Sequence, residues 1–212
     1  MKSTDYKKDY KDLYLPKITP MIIDVPEMIF IMINGKGDPN TSIEFKNAMD
    51  VLYGLSYTIK MSKMNGTQPE GYFDYVVPPL EGLWWIDDEI FDGLHLPDKN
   101  KLRRIAMIRQ PEFVTREVFL KATETLSRKK PHIDSTAARY EIFTEGKCVQ
   151  IMHIGSYDDE PETILKMEKF IKESGFVNDV SDKRRHHEIY LSDPRKTAPE
   201  KIKTVIRHPV RS

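Results

Sequence analysis

Cysteine is almost absent: Cys148 stands alone in a chain of 212 residues. A single cysteine builds no internal disulfide framework, which fits a reducing compartment. It lies in the apolar stretch Cys148-Val149-Gln150-Ile151-Met152. That is a setting for a buried, inert thiol, since reactivity needs accessible, electropositive surroundings. Net charge is absent too, with 33 Lys and Arg against 33 Asp and Glu. Nucleic-acid binders carry a basic excess or stripe because counterion release drives phosphate binding, so no nucleic-acid partner is expected. Long apolar runs are missing. The longest clean one, residues 28–33, is far too short to cross a bilayer. Residues 1–17, rich in Lys, Asp and Tyr, lack the apolar core of a signal peptide. These absences predict a cytoplasmic protein with no membrane partner. There is no Gly-rich phosphate loop, Gly35-Lys36-Gly37 being too short to be specific, and no Ser/His/Asp set stands out. No cofactor is expected.

What is present suits a globule with a sizeable core: 39% hydrophobic and 31% charged residues. Residues 1–19 read as an arm that packs on the body through Tyr and Leu. Residues 20–212 read as one domain with halves at about 20–111 and 112–212. Strands are expected at 26–37, 102–110 and 185–191, with two extended pieces at 72–77 and 80–87 kinked by Pro78-Pro79. Residues 138–143 and 147–155 flank Glu145-Gly146 like a hairpin. Helices are expected from the capping box Thr41-Ser42-Ile43-Glu44 to about residue 64, over 115–130, over 159–175, and over 199–207. In the third, Ile164, Leu165, Glu168, Phe170 and Ile171 form the periodic set.

Two stretches repeat one order of events. Residues 29–35 run into an acidic turn and a helix near Ile43; residues 149–155 run into Asp158-Asp159-Glu160 and a helix near Ile164. Gly35 and Gly155 hold the same place. The fold class that follows is α/β (α+β), a duplicated strand–helix–strand unit with a ligand cleft between the halves.

Both tryptophans are adjacent, in Pro78-Pro79-Leu80-Glu81-Gly82-Leu83-Trp84-Trp85. On a strand they point to opposite faces, so one can pack in the core while the other lines a cavity. In Arg184-Arg185-His186-His187-Glu188-Ile189-Tyr190-Leu191, Glu188 and Tyr190 share a face with His186, and His187, Ile189 and Leu191 share the other. If the apolar face is core, Glu188 and Tyr190 look onto a cavity or solvent. A carboxylate among aromatics holds a cation or activates water. His186-His187-Glu188 lacks the spacing that places two ligands on one helical face, so no metal is expected. His153 lies mid-strand, either a satisfied core histidine or a pocket contact.

Through the double-Trp segment and the closing His187-Glu188-Ile189-Tyr190-Leu191, the sequence resembles the GyrI-like small-molecule-binding family. Residues 28–39 and 192–199 fit the same pattern, so the likeness spans nearly the whole chain. It implies two βαββ units about a pseudo-twofold axis, in a GyrI-like effector-binding fold with the ligand pocket between the halves. Related domains sense multidrug-type cations in transcription activators, and the carboxylate matching Glu188 lies in their pocket. With no helix-turn-helix unit ahead of the domain, a transcription-factor role is not expected here. A stand-alone branch that resembles this chain includes cyclopropanoid cyclopropyl hydrolases, which open the strained ring of DNA-alkylating natural products within an aromatic cage. The resemblance implies a flat, aromatic or cationic small molecule as partner. Glu188 is then the base that deprotonates water. Tyr140 or Tyr157 donates to the substrate carbonyl. Trp84, Trp85, Tyr190, His153 and Glu81 contact the ligand. Binding by sequestration stays open beside hydrolysis, and so does a non-catalytic module acting on a protein partner such as DNA gyrase.

Overall fold

The apolar run at 28–33 is the middle of a longer strand, β1 (Met21–Lys36). The protein is described by a computed structural model at residues 3–87, 89–94 and 98–212; the first two residues of the expected arm lie outside these. Ahead of β1 the arm folds into two single turns, α1 (Tyr6–Asp9) and α2 (Lys11–Tyr14). After it comes α3 (Ile43–Lys60). The cap sits one residue later than expected. Ser42, not Thr41, accepts the Phe45 N–H at 3.1 Å, and Glu44 accepts the Lys36 N–H instead of reaching back to the cap. A 3-10 turn and Gly66, in the left-handed region at φ +66°, close the helix.

There follow β2 (Leu80–Ile86), β3 (Leu102–Gln110), α4 (Arg116–Lys129), β4 (Arg139–Ile154), α5 (Glu160–Glu173), β5 (Val177–Asn178), β6 (His186–Tyr190) and β7 (Lys203–Arg211). Four expectations change. The hairpin at 138–155 is one strand of 16 residues, because Gly146, at φ +73°, bends β4 without reversing it. The helix at 199–207 is a single 3-10 turn, Pro199–Lys201, followed by β7. The reason is period: Thr204, Ile206 and His208 alternate with Val205 and Arg207, and β-branched residues favour the pleat. Residues 72–77 are extended but join no named strand; Tyr75 makes one bridge to Thr4 of the arm. On α5 the buried stripe is Ile164, Met167 and Ile171, while Leu165 is 58% exposed.

The sheet runs β4-β1-β3-β2-β6-β7, and pairing of β4 with β7 closes it like a barrel; β5 pairs with the last residues of β7, Val210 and Arg211. β1, α3, β2 and β3 form one βαββ unit, and β4, α5, β6 and β7 form the second. The strand misread as a helix is the one that completes the duplication. Each unit places its last strand between its first two, and the units meet antiparallel at β2–β6 and at β1–β4.

Alternation gives this closed sheet two distinct faces. Inward point Phe30, Met32, Leu83, Met107, Cys148, Met152, Ile189 and Val205, sealed by Tyr6, Leu13 and Tyr14 of the arm. Burial pushes the Cys148 thiol up, as suits an inert sulfur. Outward, α3 and α4 cover β1 and β3 through Ile31, Ile33, Leu52, Leu55, Ile108 and Leu126. α5 covers β4 and β7 through Val149, Ile151, Ile164, Met167 and Ile206. Between these two helical layers, on the pseudo-twofold axis, lies the outward face of β2 and β6.

Candidate functional site

Register builds the site. On β2 and β6, Leu80 pairs with Tyr190, Gly82 with Glu188 and Trp84 with His186, all on the outward face. The Tyr190 hydroxyl donates to Glu188 Oε2 at 2.6 Å, and Trp84 Nε1–H donates to the Tyr190 oxygen at 2.8 Å. His186 Nε2 meets Glu188 Oε1 at 2.9 Å. Gly82 leaves room for this cluster: a Cβ there would lie 2.7 Å from Trp84 Nε1 and 3.0 Å from the Tyr190 hydroxyl. Tyr157 stands edge-on to Tyr190, with ring centroids 6.0 Å apart. Burial, then the charge of Glu188, raise both phenols, Tyr157 up to about 12. Raised in this way, both hydroxyls stay protonated near neutral pH.

Glu160, the first residue of α5, completes the cluster. It is only 6% exposed, and its Oε1 has no hydrogen-bond partner. Burial, then the charges of Glu188 and Asp158, raise its carboxyl well above the usual range. A buried carboxyl group with raised proton affinity thus sits beside Glu188, whose oxygens meet the Tyr190 hydroxyl and His186 Nε2, an arrangement in which environment can separate an acid from a base.

One ligand atom each from Glu160, His186 and Glu188 lie within 4.8 Å of one another, a spacing that also suits a metal ion. The Val180 N–H donates to Asn178 Oδ1, and the Asn178 amide nitrogen donates to Glu168 Oε1 and lies 3.2 Å from His208 Nδ1. His208 Nδ1 is also 3.3 Å from Glu168 Oε1, so it faces a donor and an acceptor, and His208 Nε2 lies 2.8 Å from His186 Nδ1.

Of the residues expected at the site, Glu188, Tyr190, Trp84 and Tyr157 come together. The others do not join them. Glu81 points inward, where His187 Nε2 meets its Oε2 at 3.0 Å and the Tyr14 hydroxyl donates to its Oε1 at 3.4 Å. Trp85 turns away from Trp84 and lies under the Arg185 guanidinium, 3.7 Å from the ring centroid. His153 has both ring nitrogens satisfied, by Thr163 Oγ1 at 2.8 Å and the Ser156 carbonyl at 2.9 Å, so it is a core histidine. Tyr140 packs against Phe119. It sits at the far end of the row Tyr140–Ile31–Ile108–Leu80–Tyr190, four strands from Tyr190. An open groove of about 490 Å³ along Leu15, Lys17, Met152 and Ile154 lies apart from this cluster.

Sequence reasoning missed Glu160 and His208. Glu160 was visible only as an acidic helix start, and nothing local marks such a residue as buried. His208 sits in the segment misread as a helix. Reading Thr204, Ile206 and His208 as one strand face, parallel to the face of His186 and Glu188, was the available signal.

Along its full length the chain is similar to two solved structures from Listeria innocua. One, a hydrolase, is 45% identical with a TM-score of 0.90; the other, an uncharacterized conserved protein, is 47% identical with a TM-score of 0.93. Both comparisons cover 99% of this chain and 100% of the other. The EcmrR C-terminal domain shares the fold at 11% identity and a TM-score of 0.54, over 92% of this chain and 98% of that one. No curated protein matches the sequence. No described helix is long and apolar enough to cross a membrane. The pattern of the GyrI-like small molecule binding domain matches residues 18–211. With two βαββ units meeting over an outward carboxylate, the chain belongs to the GyrI-like family of small-molecule-binding domains.

Proposed function

We propose that the chain binds a flat, apolar or aromatic foreign molecule over the β2–β6 strip and hydrolyses it. The substrate class is a cyclopropane conjugated to a carbonyl, as in DNA-alkylating natural products. Glu188 takes a proton from water as the water oxygen attacks a ring carbon. The breaking C–C bond sends its electron pair to the carbonyl. Glu160, held neutral by its surroundings, protonates the developing oxyanion, with Tyr157 as a second donor. Trp84 and Tyr190 orient the flat substrate. This reading moves the acid from Tyr140 to Glu160.

One observation carries the proposal: a buried Glu160, its Oε1 without a partner, beside a Glu188 held by Tyr190 and His186. The 45%-identical hydrolase from Listeria innocua supports it. The test is a mass-spectrometric time course with a cyclopropane-bearing alkylator. Wild type is expected to add one water per molecule over many equivalents, unaffected by a chelator. Glu188→Gln is expected to lose roughly 10²-fold or more of the rate while still retaining the ligand on gel filtration. Unchanged turnover in the variant removes Glu188 as base. Retention without turnover in wild type leaves a sequestering binder.

A further inference from the structure

Glu160 brings an unmet demand into the site. It is buried at the start of α5, and its Oε1 has no hydrogen-bond partner among the described residues. A buried carboxyl oxygen without a partner is costly, and buried charges in proteins are either paired or coordinate metals. Two further donor atoms stand beside it. Glu188 Oε2 accepts from Tyr190, which leaves Oε1 to face His186 Nε2 at 2.9 Å. One atom from each of Glu160, His186 and Glu188 lies within 4.8 Å of the other two. Ligand atoms at zinc distance in a tetrahedron are roughly 3.3 Å apart, so small side-chain rotations let the three share one ion.

The surroundings of His186 suit a metal ligand. A ligating imidazole donates its other ring N–H to an acceptor, which fixes its orientation. With Nε2 on an ion, the His186 hydrogen is on Nδ1, 2.8 Å from His208 Nε2. The His208 hydrogen is then on Nδ1, 3.3 Å from Glu168 Oε1, an oxygen that also accepts from the Asn178 amide. Each hydrogen has an acceptor, and the series ends on a carboxylate. Phe91 packs edge-on against the His186 ring, and a Cβ on Gly93 would lie 2.9 Å from it, so the 89–94 segment keeps the ring from turning.

We propose that Glu160, His186 and Glu188 bind one divalent transition-metal ion of the zinc class, and that the bound ion holds the protein in a form that does not hydrolyse. One imidazole with two carboxylates suits zinc better than magnesium or calcium, which take oxygen ligands in larger number. The ion enters past Glu188, whose side chain is 13% exposed against 1% for His186. Strand spacing alone hides this set, because His186 and Glu188 belong to β6 and the third ligand to α5. The ion takes the Glu188 lone pair that would accept a proton from water, and the Glu160 oxygen that would give one. The block on turnover rests on the proposed function; the binding does not. The metal-free chain is the working form, so a chelator leaves its turnover unchanged.

Zinc titrated into chelator-treated protein, followed by calorimetry, tests the site. One equivalent per chain is expected, with a raised melting temperature. Cobalt in its place is expected to show the intense visible bands of a four-coordinate ion. Glu160→Gln, which keeps the shape of the side chain, is expected to weaken zinc binding roughly 10-fold or more with unchanged circular dichroism. His186→Gln is expected to do the same. Zinc held equally by wild type and Glu160→Gln overturns the site. Turnover of the cyclopropane-bearing alkylator is expected to fall with one equivalent of zinc and to return with a chelator. Zinc-loaded protein that works at the metal-free rate overturns the block. Zinc binding that is lost in Glu160→Gln, with no turnover by metal-free wild type, leaves the metal site standing while the hydrolytic reading falls.

Discussion

At the residue scale the site depends on what Gly82 omits. Its backbone is extended, so the constraint is space and not conformation. A methyl group 2.7 Å from Trp84 Nε1 must displace the indole or the Tyr190 hydroxyl, and both are held by packing. Gly82→Ala is therefore expected to lose ligand affinity and about 1–3 kcal/mol of stability from overpacking. It should also change the Trp84 environment. Tryptophan fluorescence and denaturant unfolding check this together. Wild-type-like values for both would mean that the Trp84–Tyr190 bond does not organise the site. The same scale separates Glu188 from Glu81. They differ by one side of the sheet: Glu188 looks outward between the helical layers, and Glu81 looks inward to His187.

At the element scale the faces of α5 decide how the second half closes on its strands. Met167 is fully buried among Val149, Ile151 and Ile206, whereas Leu165 is exposed. Met167→Ala is expected to cost about 2–5 kcal/mol. Leu165→Ala is expected to stay within about 0.5 kcal/mol of wild type. Urea denaturation of the two variants measures the contrast, and equal losses would place α5 in a different rotation. This was also the limit of local reading. Periodicity located α3, α4 and α5 because each carries a stripe long enough to repeat. It did not separate Leu165 from Met167, adjacent to the same stripe. It also misread residues 199–207, where one Pro-led turn precedes a strand whose alternating faces are both useful, one to the interior and one to α5. Glycine was read as a hairpin in residues 138–155, yet Gly146 has no turn around it and β1 pairs with β4 on both sides of it.

At the scale of the whole molecule, a buried charge network holds the barrel interior. His187 lies between Glu81 and Glu145, and Arg207 Nη1 donates to Glu145 Oε2 at 2.9 Å. The arm joins it: the Leu13 carbonyl accepts from Arg207, and the Asp12 carbonyl accepts from Gln150. Burial opposes both charges, but they overcome it together. Glu145 pushes His187 up to about 9, and His187 with Arg207 holds Glu145 down to about 2. The signs follow from linkage. The His187 contribution is complete below its ordinary value of 6.5 and is lost as pH rises through about 9. The Glu145 contribution is complete above its ordinary value of 4.5 and is lost as pH falls toward 2. Stability against urea is therefore expected to be greatest between pH 4.5 and 6.5 and to fall on either side. A curve that still rises from pH 7 to 9 would mean that His187 is not held as an imidazolium.

The sequence by itself determined the class of fold, the repeat, the outward set of Glu188 and Tyr190, and the opposed tryptophans, because each is written in spacing along one strand or helix. The tertiary structure alone decided which carboxyl is buried beside Glu188 and which histidines line up behind it. Glu160 acquires its raised pKa only when α5 is laid beside β6. His208 becomes a partner of His186 only through the pairing of β6 with β7. Burial and proximity across strands set proton affinity, and neither is a property of neighbouring residues in the chain.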